Sequence, residues 1–572
     1  ISDEEKELSE NILFHTDDEN VSKFANFYRE KKAVQKVVDT SNLTTEEKVS
    51  NLVVEGSKKD LTIYLDELLK KYSPIDIING PLMTGMDEVG RLFNNNDLIV
   101  AEVLQSAEVM KASVSHLEQF MEKDESSVKG KVIMATVKGD VHDIGKNLVG
   151  IIIGNNGYEV IDLGINTPAE KIREAIIEHK ADFLGLSGLL VKSATEMVNT
   201  MGVLHEAGID IPIFVGGAAL TEKFTVNKIE PAYKNNIVIY SKDAMTALAD
   251  LNKMIVPEKF EEFKKYLQTR RDLLLIKDEK ALERLNVRQT VGDIKDAEGT
   301  FDYSKIKKPE YNFEKIYKPE TLNKQIITNI NAKDVFKYMN LQMLIGKHLG
   351  MKWVISDLLS KKDPKAMKIY NEILDIINHG DEYFDIKAIY KYFPCRKNGE
   401  KIEILSDDLS EVLETFEFPR QTWGQYLSLN DYIHPTEIDY IGMFVVSAGE
   451  KSRIVSNELI SKGEFYRGHL VNSLGLELAE STAEYIHTVM RKDVGIIDKN
   501  ISMDDILKAK YQGNRYSFGY PACPDLSNQE KLFGLLKPER FGIKLTEGYM
   551  MYPEASVSAI VFSQPFCKYF NI

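Results

Sequence analysis

The chain has 572 residues, enough for three or four domains at roughly 100 to 200 residues each. Its formal net charge of -16 and pI of about 5.3 argue against a protein that mainly binds nucleic acid, because counterion release needs clustered lysine and arginine. No apolar run approaches the ~20 residues of a membrane span, and the acidic N-terminus has no signal-peptide pattern. Three scattered cysteines indicate a reducing compartment, without a disulfide framework or a zinc site. We therefore expect a cytoplasmic protein that binds neither nucleic acid nor a membrane.

Residues 1–40 are charged and only weakly patterned, and we interpret them as the tail of a preceding module. Because the chain opens without methionine, we expect it to be a piece of a longer protein. A capping-box pattern at Thr44 and Glu47 marks the start of a run of four helical patterns with short turns. These predict an antiparallel four-helix bundle over residues 41–124.

Two apolar residues of this bundle have a second interpretation. Phe93 and Val100 flank the last predicted turn. They are most simply core residues, but they could instead face a ligand.

Strands and helices alternate strictly between residues 130 and 255. Five such units predict a doubly wound parallel sheet, and no G-x-G-x-x-G follows the first strand, which disfavours an ordinary dinucleotide fold. The predicted strands lie near residues 132–136, 159–163, 183–186, 211–215 and 237–240, and the predicted helices near residues 144–155, 169–179, 194–207, 221–232 and 245–254.

The loop after the first strand carries an imidazole and two carboxylates, His142, Asp140 and Asp143, between Gly139 and Gly145. In open parallel sheets, ligands bind at the carboxyl ends of the strands. The loop alone leaves three interpretations open, namely a ligand site, a divalent metal site, and an Asx turn with a surface histidine.

Small and polar residues also follow the third and fourth strands. Ser187 and Leu189, then Ser193, come after the third strand, and Gly216-Gly217 comes after the fourth. Small residues at successive strand ends leave room for a large ligand above or between the strands.

The remaining chain divides into a predicted linker over residues 256–310, rich in lysine and acidic residues, and a mixed α+β domain over residues 311–572. The last domain carries Arg515, close to the irregular loop GYPACPD that begins at Gly519. An arginine there could bind a carboxylate in a bidentate manner. The alternative is a structural turn with a solvated arginine.

Together these motifs resemble a known family. The set Asp140-x-His142-x-x-Gly145, Ser187-x-Leu189 and Gly216-Gly217 is similar in order and spacing to the cobalamin-binding motif of corrinoid methyltransferases and mutases. The helical bundle resembles the cap of the methyltransferase branch, and the parallel-sheet domain would be the Rossmann-like cobalamin domain. Arg515 with GYPACPD resembles the activation domain of cobalamin-dependent methionine synthases, here ending short of the family's usual end.

The resemblance implies that His142 binds cobalt as axial ligand, that Asp140 accepts its other ring N–H, and that Ser193 continues this relay. These three residues are the predicted catalytic set. The other implied contacts lie in the loop, in the channel for the nucleotide tail and on the cap, and comprise Gly139, Val141, Asp143, Gly145, Ser187, Leu189, Val191, Gly216, Gly217, Ala244, Phe93, Val100 and Asn79.

The resemblance also implies an S-adenosylmethionine site, in which Arg515 would hold the methionine carboxylate. Its other implied members are Asn340, Glu480, Tyr520, Tyr569 and Phe570.

The chain departs from the family at four positions. Asn79 replaces an acidic residue of the cap, and Val191 replaces a threonine that would hydrogen-bond the tail. Asn340 replaces an aspartate and Ala509 a glutamate, which removes two carboxylates from the S-adenosylmethionine site.

The implied activity is methyl transfer from methyltetrahydrofolate to homocysteine through cobalamin (methylcobalamin), with reactivation by S-adenosylmethionine and an electron donor such as flavodoxin. The homocysteine and folate modules, with a zinc ion, would lie in the N-terminal part of the same enzyme. The alternative is a non-catalytic corrinoid carrier protein for a separate methyltransferase, but simple carriers lack the Arg515 domain. A metal-dependent hydrolase built on His142, Asp140 and Asp143 is a third alternative, although the sequence shows no second ligand cluster.

Overall fold

The computed structural model describes residues 43–95, 97–120, 128–189, 191–217, 220–271, 308–422, 424–497 and 501–571. The predicted tail over residues 1–40 and most of the predicted linker lie outside these ranges. Within them, no helix has both the length and the apolar composition needed to cross a membrane.

The first domain is a bundle of four helices whose start is fixed by Thr44. The Thr44 hydroxyl accepts a hydrogen bond from the Glu47 amide (3.2 Å) and the Glu47 carboxylate accepts one from the Thr44 amide (2.9 Å), which confirms the predicted capping box. The helices are α1 (Thr45–Glu55), α2 (Leu61–Leu68), α3 (Met83–Asn94) and α4 (Val100–Leu117), with short helical turns at Pro74–Ile77 and Ile78–Leu82.

The second domain is the predicted doubly wound sheet. Its five parallel strands have the order β2-β1-β3-β4-β5, so the carboxyl ends of β1 and β3 are neighbours. The strands are β1 (Lys131–Thr136), β2 (Glu159–Asp162), β3 (Phe183–Ser187), β4 (Ile213–Gly216) and β5 (Val238–Tyr240), and the helices are α5 (Ile144–Gly154), α6 (Ala169–His179), α7 (Val191–Glu206) and α8 (Ala244–Met254).

The helix predicted over residues 221–232 is wrong as a single element. The chain there forms three short pieces, an α-helical turn at Glu222–Phe224, a π-helical turn at Thr225–Ile229 and a 3₁₀ turn at Glu230–Ala232. Pro231 has no amide hydrogen to donate, so a regular helix cannot continue through it.

A helix over residues 257–271 follows this domain, in the part of the chain predicted to be a linker. Its Phe263 is buried with Leu251 and Met254 of α8. The helix therefore packs against the second domain.

The third domain is a mixed α+β unit, as predicted. Seven strands form one sheet of order β11-β14-β10-β7-β8-β9, with β6 added on β7. The strands are β6 (Gln325–Ile327), β7 (Lys387–Asn398), β8 (Lys401–Leu405), β9 (Val412–Glu417), β10 (Asp439–Ser447), β11 (Asn514–Tyr516) and β14 (Ser556–Phe562), and a separate hairpin consists of β12 (Lys544–Leu545) and β13 (Met551–Tyr552).

Helices pack against this sheet. The longest, α13 (Phe465–Asp493), is largely buried along its 29 residues. The helices are α9 (Ala332–Phe336), α10 (Ile355–Ser360), α11 (Pro364–Asn378), α12 (Lys451–Ser461), α13 (Phe465–Asp493), α14 (Met503–Leu507) and α15 (Asn528–Leu536), with a π-helical turn at Gln342–His348 and shorter turns at Gly380–Tyr383, Leu429–Tyr432 and Pro538–Phe541.

The bundle packs against the third domain through one face of α4. Ala101 and Leu104 belong to the core of the third domain, whereas Val103 and Met110 belong to the core that the bundle shares with the second domain. An ion pair between Glu102 and Lys365 (2.6 Å) borders this contact. Residues of α4 thus contribute to two hydrophobic cores.

Candidate functional site

Asp140 is the centre of the loop after β1. It is completely buried, and its two carboxylate oxygens accept four hydrogen bonds. Oδ1 lies 2.7 Å from His142 Nδ1 and 3.0 Å from the His142 amide, and Oδ2 accepts from Ser193 Oγ (2.5 Å) and from the Leu189 amide (2.7 Å). Residues that follow β1 and β3 therefore form one hydrogen-bonded relay.

The backbone of the loop is fixed by Gly139 and Asn166. Gly139 has φ +81°, a conformation that favours glycine, and its amide donates to Asn166 Oδ1 (2.6 Å). The hydrogen bond from the His142 amide to the Asp140 side chain forms an Asx turn, one of the three interpretations of this loop. His142 is nevertheless not a simple surface residue, because its side chain is 28% exposed and lines a cavity.

The relay shifts the pKa values of both partners. Burial opposes ionisation of Asp140, but the hydrogen bonds from His142 and Ser193 outweigh it and lower the pKa of Asp140. Burial also opposes protonation of His142, yet the bond to Asp140 and the charges of Glu554 and Asp143 raise the pKa of His142. With Nδ1 held by Asp140, Nε2 is the nitrogen left to bind a ligand.

A first cavity of about 510 Å³ lies at the sheet, and we call it the sheet cavity. Its lining is mainly apolar and includes most of the residues predicted for the nucleotide tail and two predicted for the cap. These are Gly145, Ser187, Gly216, Gly217, Ala244, Phe93 and Val100.

The sheet cavity has the features that a buried cofactor tail requires. A Cβ built on Gly217 would lie 1.7 Å from the Gly188 carbonyl oxygen, so β3 and β4 approach here as only glycine allows. A Cβ on Gly145 would meet nothing within 4 Å, and the buried hydroxyl of Ser241 has no hydrogen-bond partner in the described part of the chain. Open space beside an unpartnered hydroxyl fits a ligand with polar groups.

A second cavity of about 440 Å³ lies between the second and third domains, and we call it the interdomain cavity. The second domain contributes His142 and Leu189. The third domain contributes four predicted residues, Asn340, Glu480, Arg515 and Tyr520. The structure thus brings the predicted cobalt ligand and most of the predicted S-adenosylmethionine site into one space.

Arg515 is held in the interdomain cavity by two carboxylates. Its guanidinium lies 3.6 Å from Glu480 and 3.4 Å from Glu484, and Tyr511 donates to Glu484 (3.2 Å). Burial raises the pKa of Glu484, although the charge of Arg515 opposes this. Because the side chain of Arg515 is only 22% exposed, the interpretation as a solvated arginine is not favoured.

Four predicted residues lie elsewhere. Tyr569 stacks on Tyr516, with ring centroids 5.2 Å apart, and is half exposed. Phe570 is buried in the core of the third domain. Asn79 lines a third cavity, between the bundle and α5, and Gly139 contacts the third domain instead of lining either of the first two cavities.

Two further predicted residues lie in the histidine loop and at the start of α7. Val141 is buried, and Val191 begins α7, with its side chain outside the described part of the structure.

The third domain contacts the histidine loop directly through the β12–β13 hairpin. Thr546 Oγ1 donates to the Gly139 carbonyl oxygen (3.2 Å), and Lys138 pairs with Glu547 (2.7 Å). A Cβ on Gly139 would lie 3.3 Å from the Cα of Gly548. Two glycines therefore permit a close approach of the two backbones.

The second and third domains also make a charged contact at Asp143. Arg453 of α12 donates to Asp143 Oδ2 (3.3 Å). Burial raises the pKa of Glu554, which lines the interdomain cavity, to about 8, with Asp143 and Asp140 adding to the shift and His142 opposing it. One oxygen of Glu554 is buried without a hydrogen-bond partner in the described residues.

Sequence reasoning missed several cavity residues. Ser241 directly follows β5, so the rule that placed Ser187 and Gly216 at strand ends would have found it. Glu477, His348 and Glu554 of the interdomain cavity carried no such signal, because no local pattern places them beside His142.

Three family models match the chain. Residues 45–118 and 130–249 each match a B12 binding domain, and residues 324–572 match the activation domain of vitamin B12 dependent methionine synthase. These matches cover the three domains that the structure contains.

Curated relatives match over most of the chain. Methionine synthase of Mycobacterium tuberculosis is 31% identical in an alignment 564 residues long, which covers 94% of this chain and 47% of the relative. Methionine synthase of Mycobacterium leprae is 32% identical in an alignment 561 residues long, which covers 92% of this chain and 46% of the relative. The chain spans about half the length of the curated relatives it matches.

Solved structures match parts of the chain. The MetH reactivation domain bound to AdoHcy is 25% identical, covers 48% of this chain and 85% of its own, and has a TM-score of 0.42. The methanol:cobalamin methyltransferase complex MtaBC from Methanosarcina barkeri is 25% identical, with coverage of 42% and 96% and a TM-score of 0.35. The chain therefore carries two B12 binding domains and the activation domain of vitamin B12 dependent methionine synthase, and it is similar to the methionine synthases of two mycobacteria over more than nine-tenths of its length.

Proposed function

We propose that this chain holds cobalamin for methyl transfer from methyltetrahydrofolate to homocysteine, and that its third domain reactivates the cofactor with S-adenosylmethionine. One observation carries the proposal. His142, at one end of the His142–Asp140–Ser193 relay, lines the same interdomain cavity as Arg515. A methyl donor anchored at Arg515 would therefore face the loop that holds the cofactor.

On the cobalamin side, His142 would bind cobalt through Nε2, while Asp140 fixes the ring and its tautomer. Ser193 would pass a proton to or from Asp140 through its 2.5 Å hydrogen bond. The nucleotide tail would occupy the sheet cavity, past Gly145, Ser187, Gly216, Gly217 and Ala244. Bound cobalamin would supply the cobalt that carries the methyl group.

On the S-adenosylmethionine side, Arg515 would hold the methionine carboxylate, since two planar N–H groups match two carboxylate oxygens. Glu480 and Tyr520 line the same cavity and would contact the ligand, as would Asn340. Tyr569, which stacks on Tyr516 within the electrostatic influence of Arg515, would also contact the ligand. Phe570, buried in the core, would support Tyr569.

The bundle would cover the cofactor in another arrangement of the domains. Phe93 and Val100 would then lie over its upper face, with Asn79 at the edge. In this structure α4 is packed on the third domain, and Phe93 and Val100 line the sheet cavity. We propose the domain limits 41–124 for the cap, 130–255 for the cobalamin domain and 311–572 for the activation domain.

The complete enzyme would contain N-terminal homocysteine and folate modules, the former with zinc, and would work in the cytoplasm. Reactivation requires an electron, which flavodoxin or a similar donor would supply. A simple corrinoid carrier would not need the third domain. A metal-dependent hydrolase would need a fixed ligand set, and the described residues contain no group of three or more His, Cys, Asp or Glu side chains that could hold a metal ion.

The test is transfer of an isotopically labelled methyl group from S-adenosylmethionine to reduced cobalamin bound to this chain. We expect labelled methylcobalamin from the wild type and from a Glu458→Gln control, whose exposed side chain lies outside the cavity. Arg515→Ala should lose the transfer and retain cobalamin. Transfer that is undiminished in Arg515→Ala would contradict the proposed site.

A further inference from the structure

Three carboxylates line the interdomain cavity from one face of α13. Glu477, Glu480 and Glu484 are spaced three and four residues apart, so they occupy successive turns of that face. Seven residues of helix span ~10 Å, which separates the first carboxylate from the last. The cavity therefore presents a row of negative charge, not a single acid.

The three carboxylates have different partners. Glu480 and Glu484 both lie within 3.6 Å of Arg515, so one guanidinium offsets their charge. Glu477 pairs instead with His348, whose Nε2 is 3.0 Å from Oε1, and its second oxygen has no hydrogen bond or ion pair in the described part of the chain. The backbone of His348 is held in turn by His469, whose ring Nε2 lies 3.1 Å from the His348 carbonyl oxygen.

Glu477 is the carboxylate of this row that does not pair with Arg515. It precedes Glu480 by three residues of α13, about 4.5 Å along the helix axis, and lines the same cavity as His142. A ligand anchored by its carboxylate at Arg515 and filling this cavity would therefore have Glu477 beside the atoms that follow that carboxylate.

From this geometry we infer that Glu477, positioned by His348, determines specificity for the positive charge at the centre of the methyl donor. In S-adenosylmethionine the sulfur is a sulfonium, whereas in S-adenosylhomocysteine it is a neutral thioether. A buried carboxylate attracts the former and gains nothing from the latter. The pair would thus favour the methyl donor over its demethylated product. The inference rests on the proposed binding of S-adenosylmethionine.

The test is calorimetric titration of the cobalamin-loaded 572-residue chain with each of the two ligands. Glu477→Gln keeps the shape of the side chain and removes its charge. We expect the affinity for S-adenosylmethionine to fall about tenfold, as for loss of a charge-assisted contact. The affinity for S-adenosylhomocysteine should change less than about twofold, since that ligand has no charge at sulfur.

Two controls separate charge from packing. Glu458→Gln makes the same chemical change at an exposed position of α12 and should alter neither affinity. His348→Ala keeps Glu477 but removes the partner that positions it, so the preference for S-adenosylmethionine over S-adenosylhomocysteine should fall. This variant also carries the test if Glu477→Gln does not fold, because an unchanged preference in His348→Ala would overturn the inference.

The outcomes are distinct. Equal weakening of both ligands, or no change in their ratio, in Glu477→Gln would overturn the role of Glu477 while leaving the proposed function in place. Failure of the wild type to bind either ligand would overturn the proposed function, and the inference with it.

Discussion

The two cavities of this molecule are assembled in different ways. The sheet cavity is lined mainly by residues of the second domain, at the carboxyl ends of its parallel strands and along α5. The interdomain cavity is built by side chains from two domains, such as His142 and Arg515, that are hundreds of residues apart in the chain. The first cavity depends mainly on the fold of one domain, whereas the second depends on how two domains dock. Changes to the first should therefore affect stability and cofactor binding, and changes to the second should affect S-adenosylmethionine and docking.

The largest effect is expected at Gly217. Alanine there would place Cβ 1.7 Å from the Gly188 carbonyl oxygen, so β3 and β4 would have to separate. We expect Gly217→Ala to lower the free energy of unfolding by on the order of 3 kcal/mol and to abolish cobalamin binding. Urea denaturation and cofactor titration measure the two effects.

Gly145→Ala is the matched control, because a Cβ there meets nothing within 4 Å. It should leave stability unchanged while it narrows the sheet cavity and weakens cobalamin binding. A loss of stability equal to that of Gly217→Ala would contradict the description of the sheet cavity.

The next effect is expected at Arg515. Arg515→Ala removes two N–H donors from a mostly buried site, and we expect the affinity for S-adenosylmethionine to fall about 100-fold. Cobalamin binding should stay within twofold, since Arg515 does not line the sheet cavity. Equal loss of both ligands would show that the two cavities are not separate.

Docking of the two domains should depend on pH through Glu554. The docked state raises the pKa of Glu554 to about 8, whereas a free carboxyl titrates near its ordinary value of 4.5, so docking binds a proton between these values. Docking should be fully favoured below about pH 4.5 and should weaken as the pH rises through about 8. Energy transfer between dyes on the second and third domains measures it.

Glu554→Gln should dock more tightly than the wild type at pH 9 and respond less to pH. An unchanged pH response in Glu554→Gln would contradict this account.

The smallest effect is expected at Lys138, whose ion pair with Glu547 also crosses the domain boundary. Both side chains are well exposed, and exposed pairs contribute little. Lys138→Ala should leave energy transfer between the domains unchanged at physiological ionic strength. A strong loss of docking would show that surface charge, and not the close backbone contact at Gly139, holds the hairpin.

This comparison also explains what could be predicted from the sequence. Periodicity and strand-end residues predicted the parallel sheet and placed Ser187, Gly216 and His142 at one edge, because parallel strands end on one side. The same rule applies to Ser241. The family resemblance supplied Arg515 and Glu480, which no local pattern assigns to a ligand.

Other features could not be predicted, since they depend on docking. Glu554 lies near His142 only because the β12–β13 hairpin packs on the histidine loop. The pairing of His348 with Glu477 likewise joins residues 129 positions apart. The single helix predicted over residues 221–232 does not form for a local reason, because Pro231 interrupts an otherwise helical pattern.

The most direct test of the central claim is electron spin resonance of this chain loaded with cobalamin in the Co(II) state, compared between wild type, His142→Gly and Arg515→Ala. If His142 Nε2 binds cobalt, coupling to one nitrogen should be present in the wild type and in Arg515→Ala and absent from His142→Gly. Nitrogen coupling that is unchanged in His142→Gly would contradict the account.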